Sequence, residues 1–534
     1  DRLRSRGRGD VYKRQPSDLH ALFHEPYDVY GVNRNQFGHK IAKLMDTSRE
    51  IKEDSSFNMT LLILVIGLVG IGGALLFNNI PLFGMIIALP LLCITCILLL
   101  KYPWFILFVI FTINYFILGI TRYIPIEGVS VIMDILYVTA LVLLSIHAAL
   151  YQNIEWKRAI HPLSVMCCIW MGYCIFEIAN PSGVLEAWIL SRGLIFNGFI
   201  IVIITSLLCT RYSFLKSLIF CLSLFTLLAI TKTFMQKYIG FDSFETKWLN
   251  EGGATTHIIW SGVRYFSFFT DASNMGANMG AATMFFGIAA FHMRSYLCRI
   301  YYLSIAILAI YAMFLSGTRG AMIVPLAGLA LYTFVSKQTK TIITSSTLLL
   351  LTYVFFALTT IGNSNATIRR MRTAFTPTED ASFNVRKENQ KKLASYMKYK
   401  PFGEGLGLSG DRAGERISKR FTTSIPTDSW YVKIWVETGA VGLTLYLSMI
   451  FLSIGWGGWI IAMRLRDPEL KGLLTGLLCG IFGMFINAYG NSFWGQFPTM
   501  VISFTGLTFI MVGPYLDQEI QEKKSTDSNI KHHD

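Results

Sequence analysis

The sequence predicts an all-α polytopic membrane protein with about 12–14 transmembrane helices and two long loops on one face. Three observations predict it. Apolar residues make up 53% of the chain and charged residues only 15%, with a mean hydropathy of +0.48. Apolar stretches recur from residue 59 to residue 514, each about 17–25 residues long, enough to cross a bilayer. Basic residues gather in alternate short loops between these stretches, as in chains oriented by their loop charges. Lipid offers no hydrogen bonds, so runs of this length must satisfy their own backbone and form helices.

In chain order, Asp1–Gln15 (DRLRSRGRGDVYKRQ) reads as an adapter-derived translated tail and is set aside. It holds six Lys/Arg and two Asp, so its removal lowers the net charge from +14 to +10. Residues 16–58 form a polar N-terminal tail. Spans 1–7 fall within 59–233, near 59–77, 80–100, 103–120, 129–150, 161–179, 188–209 and 214–233. A loop covers 234–272, and spans 8–11 fill 273–361, near 273–292, 298–315, 320–336 and 342–361. A second, longer loop covers 362–435. Spans 12–14 occupy 436–514, near 436–460, 470–488 and 498–514, before a tail at 515–534.

Short loops carry Lys101, Lys157, Arg158, Arg211, Lys216, Arg294, Arg299, Lys337, Lys340, Arg464, Arg466 and Lys471. The positive-inside rule puts these loops and both termini in the cytoplasm, and both long loops outside. The longer loop has 14 Lys/Arg against 7 Asp/Glu. Within it, Arg386–Lys400 reads as an amphipathic helix with Leu393, Tyr396 and Met397 on one stripe, suited to a membrane interface. The glycines of Pro401–Gly407 (PFGEGLG) suit a tight turn or a backbone cradle. All nine cysteines lie in or beside apolar runs, and Cys93 and Cys96, despite CxxC spacing, read as packing. Neither long loop has metal-ligand spacing, and nothing calls for nucleic acid.

Arg319 is the most informative residue. It stands in Ser316–Gly320 (SGTRG) between two apolar runs, where a charge is costly unless it faces a cavity or meets an anion. Arg192, Arg264 and Arg386 reach the same face. Arginine presents a planar bidentate fork suited to phosphate and stays charged, so the four together imply a lipid-linked phosphate or pyrophosphate. Each could instead pair locally with Asp134, Glu177, Glu186 or Asp271. Asp134, inside a span, reads as neutralising Arg192 or Arg122. Gly276 and Gly280 form a GxxxG pattern for close helix packing. Trp104, Trp260 and Trp430 read as interfacial anchors.

Four stretches carry a resemblance: Val263–Asn274 (VRYFSFFTDASN), Leu315–Leu331 (LSGTRGAMIVPLAGLAL), Arg386 with Pro401–Gly407, and Asp428–Leu443 (DSWYVKIWVETGAVGL). In this order, over roughly residues 184–460, they resemble the O-antigen ligase/polymerase family of bacterial membrane glycosyltransferases. The resemblance implies a multi-pass inner-membrane enzyme with periplasmic long loops and a periplasmic active face. Its donor would be a glycan on undecaprenyl pyrophosphate, its acceptor a glycan, lipid or protein hydroxyl. Arg192, Arg264, Arg319 and Arg386 would hold the pyrophosphate, and Arg319 and Arg386 would stabilise its departure. The scheme needs no metal and no cofactor.

The chain departs from the family at one point. Ligases of the family carry His-Asn where this chain has Asp428-Ser429. Asp428 is then the candidate base or acceptor-orienting group, or simply the N-cap of the helix near Trp430. The departure favours a polymerase, or a capsule or exopolysaccharide enzyme, over a lipid A-core ligase. The alternatives are a transporter or flippase of lipid-linked glycan and a non-catalytic assembly protein.

Overall fold

The computed structural model describes residues 97–531 apart from 98, 125–127, 153, 260–261, 376–380 and 411. The chain divides after Thr95, and every described residue belongs to the second unit, Cys96–Asp534. The readings at residues 1–95, at Cys96 and at Trp260 lie outside the described residues.

In the first half the helices are α1 (Phe105–Ile120), α2 (Val129–Tyr151), α3 (Pro162–Phe176), α4 (Leu185–Leu190), α5 (Gly198–Leu208), α6 (Tyr212–Tyr238), α7 (Ser243–Trp248) and α8 (Ala254–His257). A two-stranded hairpin follows, β1 (Ile258–Ile259) antiparallel to β2 (Gly262–Val263). Then come α9 (Ala272–His292), α10 (Tyr296–Leu315), α11 (Ile323–Val335), α12 (Thr339–Tyr353), α13 (Ala366–Arg372) and α14 (Ala381–Met397). The last are α15 (Arg412–Ile417), α16 (Phe421–Ser424), α17 (Trp430–Met463), α18 (Pro468–Asn487) and α19 (Thr499–Lys531).

Eight helices among the described residues are long and apolar enough to cross a membrane. Three shorter apolar segments, Phe105–Ile120, Gly193–Leu208 and Arg319–Val335, accompany them. The protein is thus an all-α polytopic membrane protein. α9 is too polar to count among the eight, and its position explains why. Nearly every residue from Ala272 to Ala290 is buried, Asn274 and Asn278 included. α9 is packed by α10, α11 and α18, so it needs no lipid-facing surface. Its asparagines are satisfied at the end nearest α19, where Thr499 Oγ1 donates to Asn274 at 2.7 Å and accepts from Asn278 at 2.7 Å. A Cβ on Gly280 would lie 3.0 Å from Val324 Cβ, and one on Gly276 would lie 2.9 Å from Ala321 Cβ. The GxxxG pattern therefore serves close contact with the chain around Arg319.

The short-loop cations meet acidic partners at one end of the bundle. Asp467 receives Arg294 and, at 2.9 Å, Lys524. Lys216 lies 3.7 Å from Glu469, and the Tyr212 N–H donates to Glu519 at 2.7 Å. α1 and α6 run from there to the opposite end. At that end Arg122 donates to the carbonyls of Ser267, Phe269 and Thr270 and stacks on Phe266. The long-loop elements and Arg319 gather at this second end.

Two sequence readings change here. α14 does carry the stripe expected over Arg386–Lys400, but Leu393 and Met397 are buried. Leu393 packs with Ile425, Val432 and Val436, so the stripe faces protein and the first turns of α17. Trp430 is also buried and donates to Tyr446 Oη at 3.1 Å, a packed side chain with its N–H satisfied.

Candidate functional site: a cationic cavity at one end of the bundle

The site is built around the turn between α10 and α11. Gly317 takes φ +58, open to glycine at little cost, and lets the chain reverse after Leu315. The turn is stapled from both sides. Ser316 Oγ accepts the Thr318 N–H at 3.2 Å. Thr318 Oγ1 donates to Ala272 O at 3.1 Å and accepts from Arg264 Nη2 at 2.8 Å. Arg319 then opens a 3₁₀ turn, Arg319–Met322, and donates to Thr373 Oγ1 at 3.0 Å. A Cβ on Gly317 would lie 3.1 Å from Arg264 Cγ and 3.9 Å from Arg370 Nε. The missing side chain is what lets two arginines cross the turn.

These residues face a cavity of about 820 Å³. Its cationic wall is Arg264, Arg319, Arg370, Arg386 and Lys387, and no Asp or Glu is among its described lining residues. Its other wall is apolar, with Ile323, Leu447, Phe451, Phe485 and Ile486. Phe451 is 51% exposed on the outer side of α17, so this wall reaches the lipid-facing surface. Burial lowers the Arg264 pKa, Asp271 opposes that, and Arg319 and Arg386 lower it further. Asp271 Oδ1 accepts the Ser273 and Asn274 N–H groups as the cap of α9, so Asp271 acts on Arg264 through its field. The Nε atoms of Arg264 and Arg386 are buried donors with no hydrogen-bond acceptor among the described residues. An anion held in this cavity would relieve both the repulsion and the unmet donors.

Asp428 lies at the edge of the cavity. Its Oδ2 is 3.9 Å from Arg386 Nε, and its side chain is 46% exposed. The capping role expected for it belongs to the next residue: Ser429 Oγ accepts the Val432 N–H at 3.4 Å. Asp428 itself has φ +43, and the Ser429 N–H folds back to Thr427 O across it. A left-handed non-glycine residue is held at a cost of about 1 kcal/mol or more by its surroundings. Here it turns the carboxylate away from the helix start and toward Arg386.

The four arginines expected to act together do not all converge. Arg264, Arg319 and Arg386 do, but Arg192 does not line the cavity. Arg192 donates to Asp134, to Ser130 Oγ at 3.0 Å and to Ile189 O at 3.1 Å. A carboxylate within reach holds it between α2 and the chain that joins α4 to α5, away from this cavity. Pro401–Gly407 is no ligand cradle either. Gly403, Gly405 and Gly407 all have positive φ, and Glu404 N and Gly405 N donate to Val436 O and Glu437 O at 2.9 and 3.0 Å. The loop docks backbone to backbone where α17 breaks at Gly439, φ +68. Arg370 and Lys387 were not foreseen. Both sit in the long loop, where charge is cheap and carries little signal.

The fold and site together define a polytopic α-helical membrane protein with a cationic, part-apolar cavity at one end. Residues 304–447 match the family model Wzy_C, described as O-antigen ligase. The matched stretch holds Arg319, Arg370, Arg386, Lys387 and Asp428; Arg264 precedes it. It supports an O-antigen ligase/polymerase-type role in glycan assembly. No curated protein matches the chain significantly.

Proposed function

We propose that the protein is a glycosyltransferase that transfers or polymerises a glycan carried on undecaprenyl pyrophosphate, at the periplasmic face of the inner membrane. The observation that carries the reading is the cavity itself, which among the described residues has five cationic side chains, no lining carboxylate and an apolar wall. A pyrophosphate joined to a long isoprenoid needs both halves. Arginine forks match its oxygens, and Ile323, Leu447 and Phe451 match the first isoprene units.

In the reaction the acceptor hydroxyl oxygen forms a bond to the anomeric carbon. The bond from that carbon to the pyrophosphate oxygen breaks, and its electron pair leaves with the lipid pyrophosphate. Arg264, Arg319, Arg370 and Arg386 stabilise the charge that grows on the leaving oxygens, from positions already fixed by the α10–α11 turn and by α14. The hydroxyl proton passes to Asp428, whose exposed carboxylate next to Arg386 stands where an acceptor would arrive from the loop side. Alignment of two bulky substrates supplies much of the remaining acceleration.

The test is a transfer assay with purified protein in liposomes and polyprenyl-pyrophosphate-linked glycan, resolved by gel. A ladder from donor alone identifies a polymerase. Product that needs an added lipid or protein acceptor identifies a ligase-type enzyme. Donor that binds without any product would overturn transferase activity in favour of transport.

A further inference from the structure

A second cavity, of about 540 Å³, lies at the opposite end of the bundle. It opens where α1 begins, between the end of α5 and the start of α6. α6 runs 27 residues from this cavity to Tyr238, roughly 40 Å at 1.5 Å per residue. The two cavities share no lining residue.

Its chemistry is that of a lipid headgroup site. Lys101 and Arg211 supply two exposed cations, Ser213 and Ser217 supply hydroxyls, and no Asp or Glu is among the described lining residues. Trp104, Phe108 and Phe214 form its apolar wall, with ring centroids 5.5–6.3 Å apart. The Trp104 ring is 45% exposed, as at the headgroup depth where tryptophan collects. His147 Nδ1 lies 2.6 Å from Leu100 O and ties the chain before α1 to α2, so Lys101 is held at the mouth. Lys101 and Arg211 also belong to the short-loop cations that the positive-inside rule assigns to the cytoplasm, whose membrane leaflet is rich in anionic lipid.

We propose that this cavity binds an anionic phospholipid, its phosphate on Lys101 and Arg211 and its acyl chain along Trp104, Phe108 and Phe214. The lipid bridges α1 to the α5–α6 turn and stiffens the end of the bundle remote from the cationic cavity.

The experiment compares the full-length protein with Lys101→Gln/Arg211→Gln and with the charge-preserving Lys101→Arg/Arg211→Lys. Each is titrated with mixed micelles of phosphatidylglycerol or phosphatidylcholine, and retained lipid is counted by native mass spectrometry. Phosphatidylglycerol is expected to bind the wild type and the charge-preserving pair. Loss of both charges weakens it roughly 25-fold, without change in the melting temperature of lipid-free protein. Equal retention of phosphatidylcholine, or unchanged phosphatidylglycerol retention by the glutamine pair, would overturn the site. Competition by inorganic phosphate alone, or preference for a polyprenyl monophosphate, would overturn the phospholipid assignment.

Discussion

A guanidinium between apolar helices has few ways to offset its desolvation, and the arginines here divide by which one they use. Arg192 found Asp134, and Arg122 found three carbonyls and a ring face. Arg264, Arg319, Arg370 and Arg386 all line one cavity, where Arg319 also donates to Thr373 Oγ1 and Arg264 to Thr318 Oγ1. Arg319→Ala and Arg386→Ala should each lower transfer by about 100-fold or more, the usual cost of removing one fixed donor to a developing anion, with membrane insertion unchanged. Arg319→Lys should not restore full activity, since an ammonium lacks the fork. Glycan profiles in a null strain read both, and normal profiles would sink the pyrophosphate clamp. Asp428 is tested by Asp428→Asn and Asp428→Gly. A base predicts loss of about 100-fold in both, while glycine at φ +43 should leave stability equal or raised. Loss of activity together with a lower melting temperature in both would assign Asp428 to structure. Arg264, Arg319 and Arg386 were legible in the sequence because a charge beside an apolar run is costly. Asp134 was legible as a partner for Arg192 or Arg122, but the choice was not, because Asp134 sits 58 residues from Arg192 and only the packing of α2 brings it near. Nor was the cap at Ser429, since Asp and Ser cap equally well and the backbone at Asp428 decides between them.

At the scale of elements, the cavity depends on parts that never touch it. His257, at the end of α8, holds the stretch that presents Arg264. Its Nδ1 lies 2.9 Å from Gly253 O, its Nε2 accepts the Ala272 N–H at 3.2 Å, and its carbonyl accepts the Arg264 N–H at 2.8 Å. Nδ1–H must then be the donor and Nε2 the acceptor, so the ring is neutral. Burial lowers the His257 pKa, Gly253 and Asp271 oppose it, and Arg264 and Arg122 add to it. The sign follows from linkage: the unfolded chain binds the proton more tightly, so folding gains stability as pH rises. The contribution is complete above the unfolded pKa of about 6.5 and is lost as pH falls from there toward the lowered folded value. Wild-type protein should therefore melt at a lower temperature at pH 5.5 than at pH 7.5, and His257→Gln should flatten that difference. An identical pH dependence in the variant would remove His257 from the account. Its burial was beyond the sequence, where a lone histidine in a polar loop looks exposed. The docking of Pro401–Gly407 on the break in α17 was hidden in the same way, because glycine spacing is alike for a ligand cradle and for a backbone contact. Helix positions were easier to read, because bilayer thickness imposes one length on them all.

Over the whole molecule, charge is handled differently at the two ends. At the short-loop end Arg294, Lys524 and Lys216 are matched by Asp467 and Glu469. At the long-loop end five cations line one cavity, with no Asp or Glu among its described lining residues and Asp428 at its edge. An anion that binds only the folded state in this cavity stabilises that state. Stabilisation by such a ligand follows mass action, about 2.7 kcal/mol when it stands at 100 times its Kd. A short-chain polyprenyl pyrophosphate should therefore raise the apparent melting temperature of the detergent-purified protein. The matching prenol, with the tail and no charge, should raise it far less, because it meets only the apolar wall. Inorganic pyrophosphate should act weakly and fade with salt, since it meets only the cationic wall and exposed charges are screened. Arg319→Ala combined with Arg386→Ala should abolish the response to the lipid pyrophosphate while leaving the small response to prenol. Equal shifts from prenol and prenyl pyrophosphate would mean that the arginines bind no phosphate there, and the functional reading of the cavity would fall with them.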